Sequence, residues 1–333
     1  MSDPIFTPKV SVIMPVYNTE LYVERAVVSL MEQTLDDVQF IIIDDGSKDN
    51  SLTIIKEIIE RYPSRKKQVT LVSCENRGVA MTRSQGIELA NGNYIIHLDS
   101  DDWAESNWLE MMYSSAIDNN SDVVVCDFSL IFRKKKKISE QKSIDNGFDC
   151  IKQLLNGELH GSLWNKMIRR SLLENNKIDF CSNINYLEDL IYVMQVFYHC
   201  NKVTRIPFPL INYNCCHAMS ITSSISVGKF NEIIQAINFI EEFLSEKYSE
   251  NLFSTSIVKM RMYFFASSLL QSNLTTFCNI KKKFSFDLKE IFHSNLSLHH
   301  KIILIIVKFN SDFISRSTIN CFLFFKNMQR IFR

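Results

Sequence analysis

The chain has no net charge: 37 Lys and Arg balance 37 Asp and Glu over 333 residues, so overall charge points to no class of partner. Its nine cysteines lack metal-ligand spacing, and Cys215 and Cys216 are adjacent and cannot form an ordinary disulfide with each other. An odd, unpatterned set of this kind reads as reduced and intracellular. No apolar run is long enough to span a membrane. The nearest, between Lys301 and Lys308, holds six uncharged residues where about 20 are needed. Asp3, Pro4 and Pro8 precede the first apolar run, so no signal peptide is expected. Internal repeats and low-complexity linkers are also missing. What remains is a cytoplasmic globular chain, long enough for two domains or for one with an appendage.

Charge is unevenly placed. Residues 1–130 carry 21 acidic and 10 basic side chains, whereas residues 281–333 carry 3 and 10. The acidic part has the look of a catalytic body, and the basic tail suits an anionic surface. Arg133 to Lys137 form a second basic run, expected as a solvated loop or hairpin. The basic residues lack the sheet-borne aromatic pattern that reads bases, so nucleic acid is not an expected partner.

Apolar periodicity organises the first half. Val10–Met14 is a buried-strand candidate stopped by Pro15, and Leu21, Val23, Ala26, Val27 and Leu30 then follow a helical period. A strand over 38–43, a helix over 49–59, a strand over 69–72, a helix over 79–89 and a strand over 94–98 continue the alternation. Such repetition predicts an α/β fold with a mostly parallel sheet flanked by helices. A helix over 108–117 and a strand over 123–128 follow, and amphipathic helices dominate after about residue 228. The division is placed at residue 225, with a catalytic domain over 1–225 and a mainly helical region over 226–333.

The chemistry-bearing residues fall at strand ends, where open α/β sheets bind ligands. Pro15-Val16-Tyr17-Asn18 follows the first strand and Asp44-Asp45-Gly46-Ser47 the second. Asn76-Arg77-Gly78 follows the third and Asp99-Ser100-Asp101-Asp102 the fourth. A buried strand that releases three carboxylates together concentrates repulsion, which a divalent cation relieves. Mg²⁺ or Mn²⁺ on hard carboxylate oxygens can bridge a pyrophosphate and stabilise it as a leaving group. Arg83 or Arg77 can add charge-assisted hydrogen bonds. A plainer account makes these Asp residues helix caps and turn formers. For Leu187-Glu188-Asp189, ahead of an apolar helix, the choice lies between capping and a general base.

This ordered set resembles the inverting nucleotide-sugar glycosyltransferases of family 2, of the bacterial surface-polysaccharide type, over about residues 8–222. The resemblance implies the GT-A fold, a Rossmann-like sheet with a C-terminal helical extension here. It implies that Pro15, Val16, Tyr17, Asn18, Asp45, Asn76, Arg77 and Gly78 bind the nucleotide, with Arg83 near the pyrophosphate. Asp99, Ser100 and Asp101 match the metal motif, Asp101 as direct ligand of Mn²⁺ or Mg²⁺ and Asp99 toward ribose and metal. Asp102 would orient a neighbouring group or the donor sugar. Asp189 matches the catalytic base, with Glu188 as the fallback.

Trp164, in Leu163-Trp164-Asn165-Lys166, would stack on a sugar or fill the core. Lys166 would support the acidic cluster or a phosphate. His217 would serve a loop over the donor, Tyr213 to Thr222, in which the Arg usual in relatives near Asn214 is missing. Ser84 stands where relatives often carry Asn. The implied partners are a nucleotide-sugar donor, most simply a UDP-sugar, and a glycan or lipid-linked acceptor. An anionic membrane surface at the cytoplasmic face of the inner membrane, or a homo-oligomer, would engage the tail. The alternatives are a nucleotidyltransferase, which would ordinarily call for a Gly-rich basic loop after the first strand, and a non-catalytic nucleotide-sugar-binding subunit of a glycan assembly complex. His299 and His300 are expected to diverge as surface groups.

Overall fold

The computed structural model describes residues 7–142, 145–216, 225–249, 252–294, 296–309 and 315–317. His217, the loop from 217 to 224 and most of the tail beyond 309 therefore lie outside the described residues. The chain forms two compact units, residues 1–217 and 218–333.

In the first unit the alternation runs β1 (Val10–Val16), α1 (Val23–Met31), β2 (Val38–Asp44), α2 (Ser51–Arg61), β3 (Val69–Ser73), α3 (Val79–Leu89) and β4 (Tyr94–His97). These four strands pair in parallel in the order β3-β2-β1-β4. Apolar residues along both sides of β1 and β2 explain their central place, since a strand covered on both faces has no polar side. Val12, Met14, Phe40 and Ile42 pack beneath Val27 and Leu30 of α1 and Ile55 and Ile58 of α2. On the opposite face Gly86 of α3 lies against Ile13, where a Cβ would come within 2.3 Å of the Ile13 side chain.

Strand β1 continues through Pro15, which was expected to end it. The pairing with β4 stops at Ile13, so Pro15 faces a partner on the β2 side only and its missing N–H leaves no gap between two neighbours.

Beyond β4 the sheet becomes mixed. The chain continues through β5 (Trp103–Ala104), α4 (Trp108–Asp118), β6 (Val123–Phe132), β7 (Lys135–Ser139), α5 (Gly147–Asn156), β8 (Lys166–Arg169), α6 (Arg170–Asn176), α7 (Glu188–His199) and β9 (Val203–Asn214). Strand β8 inserts antiparallel between β4 and β6, β9 runs parallel to β6, and β5 closes the edge antiparallel to β9. The basic run is a hairpin: β7 pairs antiparallel with the outer half of β6.

The second unit holds α8 (Val227–Lys247), α9 (Ser254–Gln271), α10 (Leu274–Lys281), α11 (Leu288–His293) and α12 (Leu298–Phe309). No described helix is long and apolar enough to cross a membrane. Here one expectation is corrected. His300 is buried, and its ring centroid lies 4.0 Å from that of His299. Both rings reach the Ser297 hydroxyl, which draws the neighbouring side chains together.

Candidate active site

The loops after the parallel strands are tied into one cradle. Asn18 has a left-handed backbone (φ 51°), its N–H donates to Ser47 Oγ at 3.0 Å, and its Oδ1 accepts from Lys48 N at 2.7 Å. Tyr17 is left 49% exposed beside it, a ring face available to a planar ligand. Pro15 is half-buried and Val16 is fully buried, so Val16 contributes only its carbonyl, which accepts from Asp45 N. Thr19 Oγ1 donates to Ser100 Oγ at 3.0 Å and joins this loop to the acidic motif after β4.

Asp44 and Asp45 are both buried. Asp44 accepts from Ser47 N and from Ser73 Oγ. Asp45 accepts from Arg77 N at 2.8 Å and Gly78 N at 3.0 Å, and so shapes the Asn76-Arg77-Gly78 turn at the head of α3. Asn76 and Arg77 are exposed, and the Arg77 guanidinium is held by Gln85. Gly78 has φ +89°, and a Cβ there would meet Asn185 Oδ1 at 2.4 Å. Only glycine fits that turn while the 178–187 loop packs this close.

Arg83 makes the central connection. Its buried guanidinium donates to Asp99 Oδ1 at 2.8 Å and to Glu188 Oε1. It thereby joins the end of β4 to the head of α7, 105 positions away from Arg83 in sequence. Burial alone would lower its pKa, but Asp99, Glu188 and Asp189 raise it further, so the group stays charged. Both amino groups already carry carboxylates. Arg83 acts as a bridge between acids in addition to any approach it makes to a pyrophosphate.

Glu188 and Asp189 occupy the first turn of α7, where the helix dipole favours negative charge. Burial nevertheless pushes Glu188 up to about 8, against the pull of Arg83. Asp189 is half-buried and also raised, by desolvation first, while Arg83 and Lys166 work to hold it ionised. Leu187 enters this turn with φ 67°, a conformation that a large side chain rarely adopts.

Lys166 and Trp164 are placed by the interior. Lys166 Nζ has no exposure and donates to His160 O (2.6 Å), Ser162 O (2.7 Å) and Asn165 Oδ1 (2.8 Å). Burial draws it down to about 7, yet three acceptors match the three N–H bonds of an ammonium, and Asp189 favours the charged form. The loop it pins rests on α7, with a Cβ built on Gly161 falling 3.1 Å from Leu190 Cδ1. Trp164 is 3% exposed, stacks on Tyr213 and meets Phe128 edge-on, which makes it a core residue with no open face for a sugar.

Asp102 is buried too. Its Oδ1 accepts from Asn214 N at 2.7 Å, and its Oδ2 has no partner. Desolvation, Asp101 and Asp99 raise its pKa well above the ordinary value.

The acidic motif suits a divalent cation of the Mg²⁺ or Mn²⁺ kind. An orphaned carboxylate oxygen and mutual repulsion mark a place where positive charge is short, and Asp99 and Asp101 remain partly open beside it. Among the described residues no group of three His, Cys, Asp or Glu side chains is set to hold a metal alone. One or two carboxylates completed by ligand phosphate oxygens is the usual arrangement for Mg²⁺.

Sequence reasoning passed over three supports. Asn185 packs on Gly78, Asp179 accepts from Ser84 Oγ at 2.8 Å, and the Arg25 guanidinium lies 3.2 Å from the Trp103 ring centroid. Each contact joins distant segments, and only the glycine left a signal in the sequence.

Comparison with known proteins follows this geometry. The family model for glycosyl transferase family 2 matches residues 11–176. The putative glycosyltransferase EpsH of Bacillus subtilis is 31% identical over 247 residues, covering 72% of this chain and 70% of that protein. The cholesterol galactosyltransferase of Borreliella burgdorferi is 32% identical over 264 residues, covering 74% and 70%. Among solved structures, S. aureus TarS 1–349 in complex with UDP-GlcNAc is similar with a TM-score of 0.59. It is 17% identical and covers 94% of this chain and 91% of that one, a likeness of fold.

Proposed function

The chain belongs to glycosyl transferase family 2, and we propose that it passes the sugar of a UDP-sugar to a hydroxyl of a glycan or lipid-linked glycan, inverting the anomeric carbon. One observation carries the site assignment: Arg83 brings the strand-end acids and the Glu188-Asp189 helix head into a single cluster. The UDP preference is supported by the solved relative of the same fold that holds UDP-GlcNAc. A lipid-linked acceptor would place the enzyme at the cytoplasmic face of the membrane as a peripheral protein.

On this reading Tyr17 offers its ring to the nucleotide base, and the turn shaped by Asp45 closes the base site. Asp99 and Asp101 would hold Mg²⁺ or Mn²⁺, which when bound neutralises charge developing on the departing diphosphate. The acceptor hydroxyl attacks the anomeric carbon from the side opposite that leaving group. Asp189 takes the hydroxyl proton as the new bond forms, and its raised pKa makes it a stronger base than an ordinary aspartate. The diphosphate is already an activated leaving group, so no acid is required.

Nucleotide release from a panel of UDP-, GDP-, CMP- and dTDP-sugars, with and without EDTA, tests the proposal. Metal-dependent release of UDP, lost in Asp101→Ala, is expected. Asp189→Asn should bind donor normally by calorimetry and lose about 10²- to 10⁴-fold in transfer. Equal turnover of that variant would overturn the assignment of the base. No metal-dependent binding of any donor would overturn the donor site.

A further inference from the structure

The β6–β7 hairpin carries five consecutive cations, Arg133 to Lys137, all exposed. Among the described residues only Lys136 approaches an acid, Glu105 at 3.9 Å, and both of those side chains are about half exposed. Arg133, Lys134, Lys135 and Lys137 meet no carboxylate among the described residues. Two apolar side chains stand among them in the open, Phe132 at 37% and Ile138 at 51% exposure. Register distributes the group over both hairpin faces: Lys135 and Lys137 lie opposite Phe132 and Leu130, while Lys136 lies opposite Ile131 and Ile138 opposite Ser129. The Lys135 ammonium sits 5.5 Å from the Phe132 ring centroid.

Strand direction places the hairpin. Strand β8 is antiparallel both to β4 and to β6, so β4 and β6 point the same way. The hairpin therefore projects from the edge of the sheet at which Asp99, Ser100, Asp101 and Asp102 stand. Its turn end adjoins that motif, since Ile131, one pair from the turn, also pairs with Asn214, and Asn214 N donates to Asp102.

We propose that this hairpin is a docking arm for an anionic lipid bilayer, holding the acidic edge of the sheet toward the membrane surface. Five neighbouring cations with almost no acids to offset them repel one another, and a negatively charged surface relieves that repulsion. A soluble polyanion would satisfy the charges and leave Phe132 and Ile138 in water. The headgroup region of a bilayer takes the ammonium groups and the apolar side chains together. The attachment does not depend on which donor is used, so vesicle binding and nucleotide release report on separate claims.

The test is sedimentation of the full-length protein with vesicles of phosphatidylcholine alone, or of phosphatidylcholine with about one third phosphatidylglycerol, at two salt concentrations. Binding to the anionic vesicles only, weakened by salt, is expected. The combined variant Lys134→Gln, Lys135→Gln, Lys136→Gln and Lys137→Gln should lose about 100-fold or more in partition. Phe132→Ser with Ile138→Ser should lose about 10-fold. Nucleotide release from soluble donor should be unchanged in both, which confirms that they fold. Failure of the native protein to bind anionic vesicles overturns the proposal. So does undiminished partition of the lysine variant, which would move the attachment elsewhere. Undiminished partition of the Phe132 and Ile138 variant, with tight binding of inorganic polyphosphate by the native protein, also overturns it and marks a grip on a polymer.

Discussion

Arg83 and Lys166 approach the head of α7 from two sides and set the charge of its acids. Arg83 pairs directly with Glu188, whereas Lys166 acts on Asp189 through space and through the loop it pins. Burial raises the pKa of Asp189 and Asp99 adds to it, while Arg83 and Lys166 pull it down. As the proposed base, Asp189 must be ionised to accept a proton, so activity should fall as pH drops through its raised pKa. Removing the Lys166 cation raises that pKa further. Lys166→Met should therefore move the acid limb of the kcat profile to higher pH. It should also leave three oxygens without their donor and cost about 1–3 kcal/mol of stability. A pH–rate profile beside a thermal melt checks both effects. An unmoved limb would leave Lys166 as a structural staple only.

At the scale of elements, the site depends on how α7 is seated. Helix α5 runs beside it, and Gly147 at the start of α5 meets the far end of α7. A Cβ on Gly147 would fall 1.8 Å from Phe197 O and 2.7 Å from Cys200 O. Both obstacles are backbone, so neither can rotate away. Gly147→Ala should cost about 3 kcal/mol or more, at or beyond the upper end of ordinary overpacking. Gly157 closes the same helix with φ +70° and nothing within 4 Å. Gly157→Ala should cost only the left-handed backbone penalty, about 1–2 kcal/mol. Denaturant unfolding of the two variants checks that order, and the reverse would show that α5 is not seated on α7 as described.

For the whole molecule, the proposed metal–diphosphate site would link ligand binding to stability. Burial first, and then the neighbouring Asp101 and Asp99, raise the pKa of Asp102, so negative charge at the β4 end is disfavoured when no cation is bound. UDP with Mn²⁺ at about 100 times its Kd should stabilise the fold by about 2.7 kcal/mol. That shift should vanish with EDTA and in Asp101→Ala, as read by a thermal melt. A shift that survives both treatments would mean that UDP binds without a metal at Asp101.

The β-α alternation, the strand ends that carry the acids, and the start of α7 were all legible in the residues themselves. Each follows from local periodicity or from a motif a few residues long, so neighbouring residues are enough to read it. The bounds of α3 coincide with the expected 79–89, and Leu187-Glu188-Asp189 does open a helix. Tertiary structure alone decided the rest. The insertion of β8 between β4 and β6 turned the second half of the sheet mixed, an outcome of long-range pairing that periodicity does not encode. Trp164 became core because Tyr213 and Phe128, distant in sequence, cover its ring. The Arg83 bridge and the Lys166 staple join segments that only folding brings together, since a buried charge takes whichever partners the chain packs around it.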